Sequence, residues 1–316
     1  MNALFPPRRV FLFGSLLTLA GLLAFAVGAK GQSSTWDGIL SNSQWYVPGD
    51  NLRSYIASGT NLADNTAVVD QTLWTLGVAT NGVFTGTSTT DLKEGALVIS
   101  STRSMNGLVT TEGQIRIVFS GTSGTTTFGI GQMREISGTT YMEMQMLTSI
   151  GGSYLTHWAY MTPYDGNPET LPALDLPTTP ISQEWAWMEG TTWALESPDL
   201  FGPGGSGTFT VDAYDNGYYW GSGTGTNGAF TLIGSATPEG NILFDTLSGT
   251  TLTSLTGQIT GDASNGTMVL RTYDNDGNPG DGATANVVPE PGTAALLAGA
   301  LGVLLIVARR RPEPNS

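Results

Sequence analysis

The chain holds one histidine, His157 in YLTHWAY, and no cysteine. A single imidazole leaves no His-rich zinc site, and a lone strand histidine is expected to be a packing residue rather than the base of a Ser/His/Asp arrangement. The stretch EWAWMEGTTWALE sets Glu184, Glu189 and Glu196 among Trp185, Trp187 and Trp193. Paired carboxylates beside sugar-stacking rings are glycosidase chemistry, but this spacing matches no recognisable hydrolase motif. Alternating aromatics in a strand are expected as core or cross-strand pairs. If Trp185, Trp187, Tyr218, Tyr219 and Trp220 shared an exposed face, they would be the carbohydrate-stacking candidates. YDNDGNPGDG places the hard oxygen ligands Asp274, Asp276, Asn278 and Asp281 near glycines, which is calcium-loop chemistry. It occurs once and lacks the bidentate glutamate of an EF-hand, so an acidic linker is the preferred reading and calcium the alternative. No catalytic residue and no cofactor is assigned.

What must position these residues is β-structure. In 316 residues there are 43 glycines, many threonines and serines, and few of the strong helix formers. Period-two segments broken by Gly, Asn-Gly and Asp-Asn-Gly turns predict an all-β antiparallel sandwich or barrel. The chain also repeats itself. GLVTTEGQI at 107–115 aligns with GSATPEGNI at 234–242, NGVFTG at 81–86 with NGYYWG at 216–221, and Gly131-Gln132 with Gly257-Gln258. Met142 and Met268 each follow the glutamine by ten residues. Two sequence-similar β-rich halves are therefore expected, at 32–162 and 181–273, joined by a proline-rich linker or crossing loop at 163–180 and followed by an acidic Gly/Asp linker at 274–286.

Charge and hydropathy constrain the setting. The formal net charge is -14, with 12 basic and 26 acidic residues, and half of the basic residues lie in the terminal segments. An acidic interior this poor in Lys and Arg lacks the electrostatic attraction that dominates nucleic-acid binding. Residues 1–31 read as a signal peptide: Arg8 and Arg9, an apolar run, then small residues for signal peptidase. At the other end, 17 uncharged residues at 292–308 would reach about 25 Å as a helix, close to the ~30 Å hydrocarbon core. Arg309, Arg310 and Arg311 follow and would hold that end in the cytoplasm.

Pro289-Glu290-Pro291, the apolar span and the arginine cluster, in that order, closely resemble the PEP-CTERM sorting signal. The resemblance covers residues 287–316. It implies processing near Pro289, Glu290 and Pro291 by an exosortase, an inner-membrane precursor, and delivery to the surface or extracellular matrix of a Gram-negative, exopolysaccharide-making bacterium. The trailing Pro312-Glu313-Pro314-Asn315-Ser316 is slightly longer than the usual ending. Both prolines fix φ and favour an extended strap, the form in which a peptidase accepts a substrate. The functional expectation is an exported structural or adhesive protein without catalysis of its own, in contact with exopolysaccharide or other surface glycans. The alternatives are a surface carbohydrate-binding module and, further off, a secreted glycoside hydrolase.

Overall fold

The computed structural model describes residues 35–120, 126–150, 152–178, 182–273 and 279–289. The signal segment, the loop residues Asp274, Asp276 and Asn278, and the tail from Glu290 through Arg309, Arg310 and Arg311 lie outside the described residues. No helix among the described residues is long and apolar enough to cross a membrane.

The protein is all-β, built as two eight-stranded antiparallel barrels. In the first, β1 (Gln44–Tyr46) and β2 (Arg53–Ser58) lie end to end between β3 (Asn61–Leu76) and β9 (Ser153–Pro163). They act as one strand interrupted by the turn at Gly49–Asn51. The meander β3, β4 (Val83–Glu94), β5 (Leu97–Val109), β6 (Gln114–Ser120), β7 (Thr126–Ile136), β8 (Thr139–Ile150), β9 completes the circle. The second barrel runs in sequence order and closes on itself: β10 (Thr192–Glu196), β11 (Ser206–Asp215), β12 (Tyr218–Gly225), β13 (Gly228–Ala236), β14 (Asn241–Ser248), β15 (Thr251–Thr260), β16 (Thr267–Tyr273) and β17 (Pro279–Val287). Full closure removes the exposed edges that Thr-rich strands would otherwise offer to other chains. Among the described residues the only α-helical pieces are single turns, α1 (Asp37–Leu40) and α2 (Pro198–Phe201).

One reading is corrected here. The acidic linker placed at 274–286 is, from Pro279 onward, the strand that closes the second barrel, paired with both β16 and β10. Ala283, Ala285 and Val287 alternate inward, and small side chains suffice because the barrel is already filled by larger ones.

The duplication is visible bond by bond. Asn81-Gly82 and Asn216-Gly217 both take positive φ, at 53° and 80° against 57° and 87°, as the tight turn between two twisted strands requires. In the other shared turn Gly113 and Gly240 each have φ 85°. Gln132 Nε2 donates to the Glu112 carbonyl and Gln258 Nε2 to the Glu239 carbonyl, both at 2.6 Å. Met133 N and Ile259 N bond the two glycine carbonyls at 2.8 Å.

The barrels are fused along their sides. Tyr55, Ala57, Leu62 and Trp158 of the first pack on Tyr218, Ile233 and Leu247 of the second. The Tyr218 hydroxyl accepts from Trp158 N–H at 2.6 Å and lies 2.8 Å from the Arg53 carbonyl, to which it donates. Gln145 Nε2 donates to the Ser235 carbonyl at 2.9 Å, and Arg53 pairs with Asp215 at 3.2 Å. The proline-rich crossover is also tied down: Leu174 packs against the first core and Arg53 donates to the Pro177 carbonyl.

Candidate functional site

The register of each barrel lets the two interiors be compared position by position. Trp74 opposes Trp45 and Ser88, and Ser88 opposes Arg103. In the second barrel Phe209 opposes Trp193 and Gly223, and Gly223 opposes Phe230. Thr72 with Thr90 correspond likewise to Gly207 with Gly225. At one pole, then, the first barrel carries Thr72, Ser88, Thr90 and Arg103 where the second carries Gly207, Gly223, Gly225 and Phe230.

The second barrel is plugged at this pole. Phe201, carried by α2 between β10 and β11, is buried against Phe230 with ring centroids 5.8 Å apart. A Cβ added at Gly207 or Gly225 would strike the Phe201 ring, and one at Gly205 would strike its carbonyl and Cβ, so the glycines make its room. Ser197 caps α2 through Leu200 N, and Pro198 opens the turn.

Among the described residues the first barrel has no such plug. The half nearer α1 is filled by Trp45, Trp74, Phe84, Ile117, Phe119 and a run of methionines, as expected of eight strands, whose interior is just wide enough for side chains. The other half retains a cavity of about 40 Å³, room for about three waters. Its wall includes Asp70, Thr72, Thr90, Arg103, Thr127 and His157.

His157 lies in this wall, fully buried. Its Nδ1 is 2.9 Å from Asp70 Oδ2 and its Nε2 is 3.0 Å from the Asn51 carbonyl oxygen. Nε2 can bond that carbonyl only as an N–H, while Nδ1 lies at ion-pair distance from Asp70 without a hydrogen bond, and the carboxylate beside it favours the imidazolium. Burial works against that charge, but the Asp70 carboxylate and the Asn51 carbonyl outweigh it and raise the pKa above the ordinary histidine value. Asp70 also accepts from the Thr72 hydroxyl at 2.7 Å. His157 is thus half of a buried ion pair, where the sequence suggested a plain packing residue. Asp70 was missed because nothing local to β3 marks it as the partner of a residue on β9.

Arg103 contrasts with this satisfied pair. It is half-buried and donates to the Thr127 hydroxyl at 2.7 Å and the Ser149 carbonyl at 3.4 Å. Among the described residues no carboxylate pairs with it, and burial lowers its pKa.

The aromatic candidates are not assembled on one face. Tyr218 and Tyr219 point to opposite sides of β12, as neighbours in a strand must, and both are fully buried, one in the seam between barrels and the other in the second core. They are therefore removed from the carbohydrate-stacking set. Trp220 packs on Tyr55 at 5.1 Å. Trp185 donates to the Thr237 carbonyl at 2.8 Å and Trp187 stacks on Trp193 at 5.9 Å, so these two cover the end of the second core. Glu184, Glu189 and Glu196 are exposed. Glu184 accepts from the Ser182 hydroxyl in a local turn, and Glu189 accepts from Tyr214 N–H of β11. Of the calcium candidates only Asp281 is described, an exposed residue of β17 whose N–H bonds Asp199. No group of three metal-binding side chains occurs among the described residues.

A second recess lies between the barrels, lined by Gln114, Arg116, Gln132, Glu143, Gln145 and Asn241. Its carboxylate is already engaged: Arg134 bridges Glu143 at 2.8 Å and Glu239 at 3.1 Å, and Trp158 Nε1 donates to Glu143 at 3.3 Å.

No family model matches the chain, and no curated protein matches it. Among solved structures, a DUF3598-family protein of unknown function from Nostoc punctiforme is 13% identical, with 81% of this chain and 99% of that chain covered and a TM-score of 0.25. A porin-like protein from Bacteroides uniformis is 9% identical, with 79% and 100% covered and a TM-score of 0.17.

Proposed function

We propose that this is an exported surface or matrix protein whose two-barrel body is delivered by the PEP-CTERM tail and serves a structural or adhesive role without catalysis of its own. One observation carries the reading. Val288 N–H bonds the Thr192 carbonyl at 2.8 Å, and the next residue, Pro289, is exposed. Among the described residues the last one held by the barrel is therefore the one before the Pro-Glu-Pro strap, so cleavage at the strap leaves every described strand in place. An acidic, cysteine-free chain whose described strands close into barrels also suits a protein that must persist outside the cell without disulfides and without polymerising through its strands.

The test is a double substitution, Pro289→Ala with Glu290→Ala, expressed in a host that carries an exosortase. The expected outcome is an unprocessed precursor of higher mass retained in the inner membrane. Arrival of this variant at the surface with the wild-type C-terminus would reduce the segment to a linker before an anchor.

A further inference from the structure

The polar pole of the first barrel is unfinished in a way that its copy is not. Phe201, Phe209 and Phe230 seal the second barrel, whereas the matching pole keeps Arg103 and a ring of hydroxyls around an open cavity. Hydrogen-bond accounting sharpens the contrast. Trp74 lines the cavity and is fully buried, and its indole Nε1–H has no acceptor among the described residues. The position of Trp74 is taken by Phe209 in the second barrel, which has no N–H to satisfy. A buried donor without an acceptor is costly, and so is a half-buried guanidinium without a counter-charge. The one carboxylate in the wall, Asp70, is engaged by His157 and Thr72. With His157 and Asp70 cancelling, Arg103 leaves the cavity one positive charge in excess.

We propose that this cavity is a binding site for a small monovalent oxyanion of the carboxylate or nitrate class, held by the Arg103 guanidinium and the Trp74 indole N–H. Size sets the class: about 40 Å³ takes a group of a few heavy atoms, far below the roughly 300 Å³ of a pocket for a larger organic ligand. Charge sets the sign. Thr127 accepts from Arg103 and keeps a hydroxyl proton that can turn to donate, and a planar oxyanion offers enough lone pairs to take the indole proton and the guanidinium together. The site is independent of the tail and of the surface role proposed above.

The test is a titration of the purified full chain, labelled with ¹⁵N at its tryptophan indoles, with sodium acetate at ionic strength fixed by sodium fluoride. Trp74→Phe identifies the signal. The expected result is a saturable shift of the Trp74 indole N–H, with affinity weakened about tenfold or more in Arg103→Gln and in Thr127→Val, which removes the hydroxyl that orients the guanidinium. Glucuronate run in parallel separates two sources of the same chemistry: saturation by both ligands marks a carboxylate presented by an acidic sugar, and saturation by acetate alone marks a free small anion. A Trp74 signal that does not move or moves without saturating would overturn the site, as would equal acetate affinity in wild type and Arg103→Gln. Arg271→Gln, on the outside of the second barrel, should bind acetate as wild type does.

Discussion

His157 and Asp70 form a buried ion pair, and such a pair is felt most when one partner is removed. His157→Gln leaves Asp70 charged and under-partnered inside a barrel, a change that typically costs about 3 to 5 kcal/mol. The pair also makes stability depend on pH. Its folded histidine pKa is raised, so its contribution is complete below the unfolded value of about 6.5 and is lost as pH climbs through the folded value. Asp245 acts in the same direction at lower pH. It is fully buried with one oxygen unpartnered, and burial pushes its pKa up to about 7 against a partial opposing effect of the Ser254 hydroxyl. Between roughly pH 4 and 7 the folded state keeps a proton that the unfolded chain releases, at about 1.4 kcal/mol per pH unit. Urea unfolding across pH 4 to 9 is therefore expected to show stability falling throughout. Asp245→Asn should flatten the lower part of that fall and His157→Gln the upper part. A profile unchanged in both variants would contradict the assignment of these two groups.

The strands and turns divide into those visible from sequence and those fixed by closure. The Asn-Gly turns and the paired Thr-Thr-Glu-Gly and Thr-Pro-Glu-Gly turns were legible because glycine and asparagine at positive φ are locally determined. The closing strand β17 was not. Its sequence, PGDGATANV, has little β-propensity, and it is a strand because β10 and β16 leave an empty place between them. The plug was hidden for the same reason: Phe201 looks like any exposed turn residue until Gly205, Gly207 and Gly225 are brought around it. Aligning the two copies strand by strand is the signal that would have exposed the polar pole, since Arg103 then falls opposite Phe230. Phe201→Ala should open in the second barrel a cavity like that of the first, at a cost of about 3 to 5 kcal/mol, measured by chemical denaturation. A cost below about 1 kcal/mol would mean that the ring does not seal the pole.

At the scale of the whole molecule, two copies of one barrel have been fused and then specialised, one closed by aromatic rings and the other left with a charged interior. The buried seam through Tyr55, Trp158 and Tyr218 packs the two barrels against each other, and β17, the last described strand, ends within two residues of Pro289. The resemblance of the tail to a sorting signal was readable in the order of its three parts. That the last described strand runs to the start of the tail was not, because it had the look of a linker. The central claim is that this body is delivered to the surface by cleavage at the strap. The most direct measurement is the intact mass, with C-terminal peptide sequencing, of the chain recovered from the surface of an exosortase-carrying host. The account predicts a C-terminus at or beside Pro289-Glu290-Pro291, with the apolar span and Arg309 to Arg311 absent. A surface form that still ends at Ser316 would contradict it.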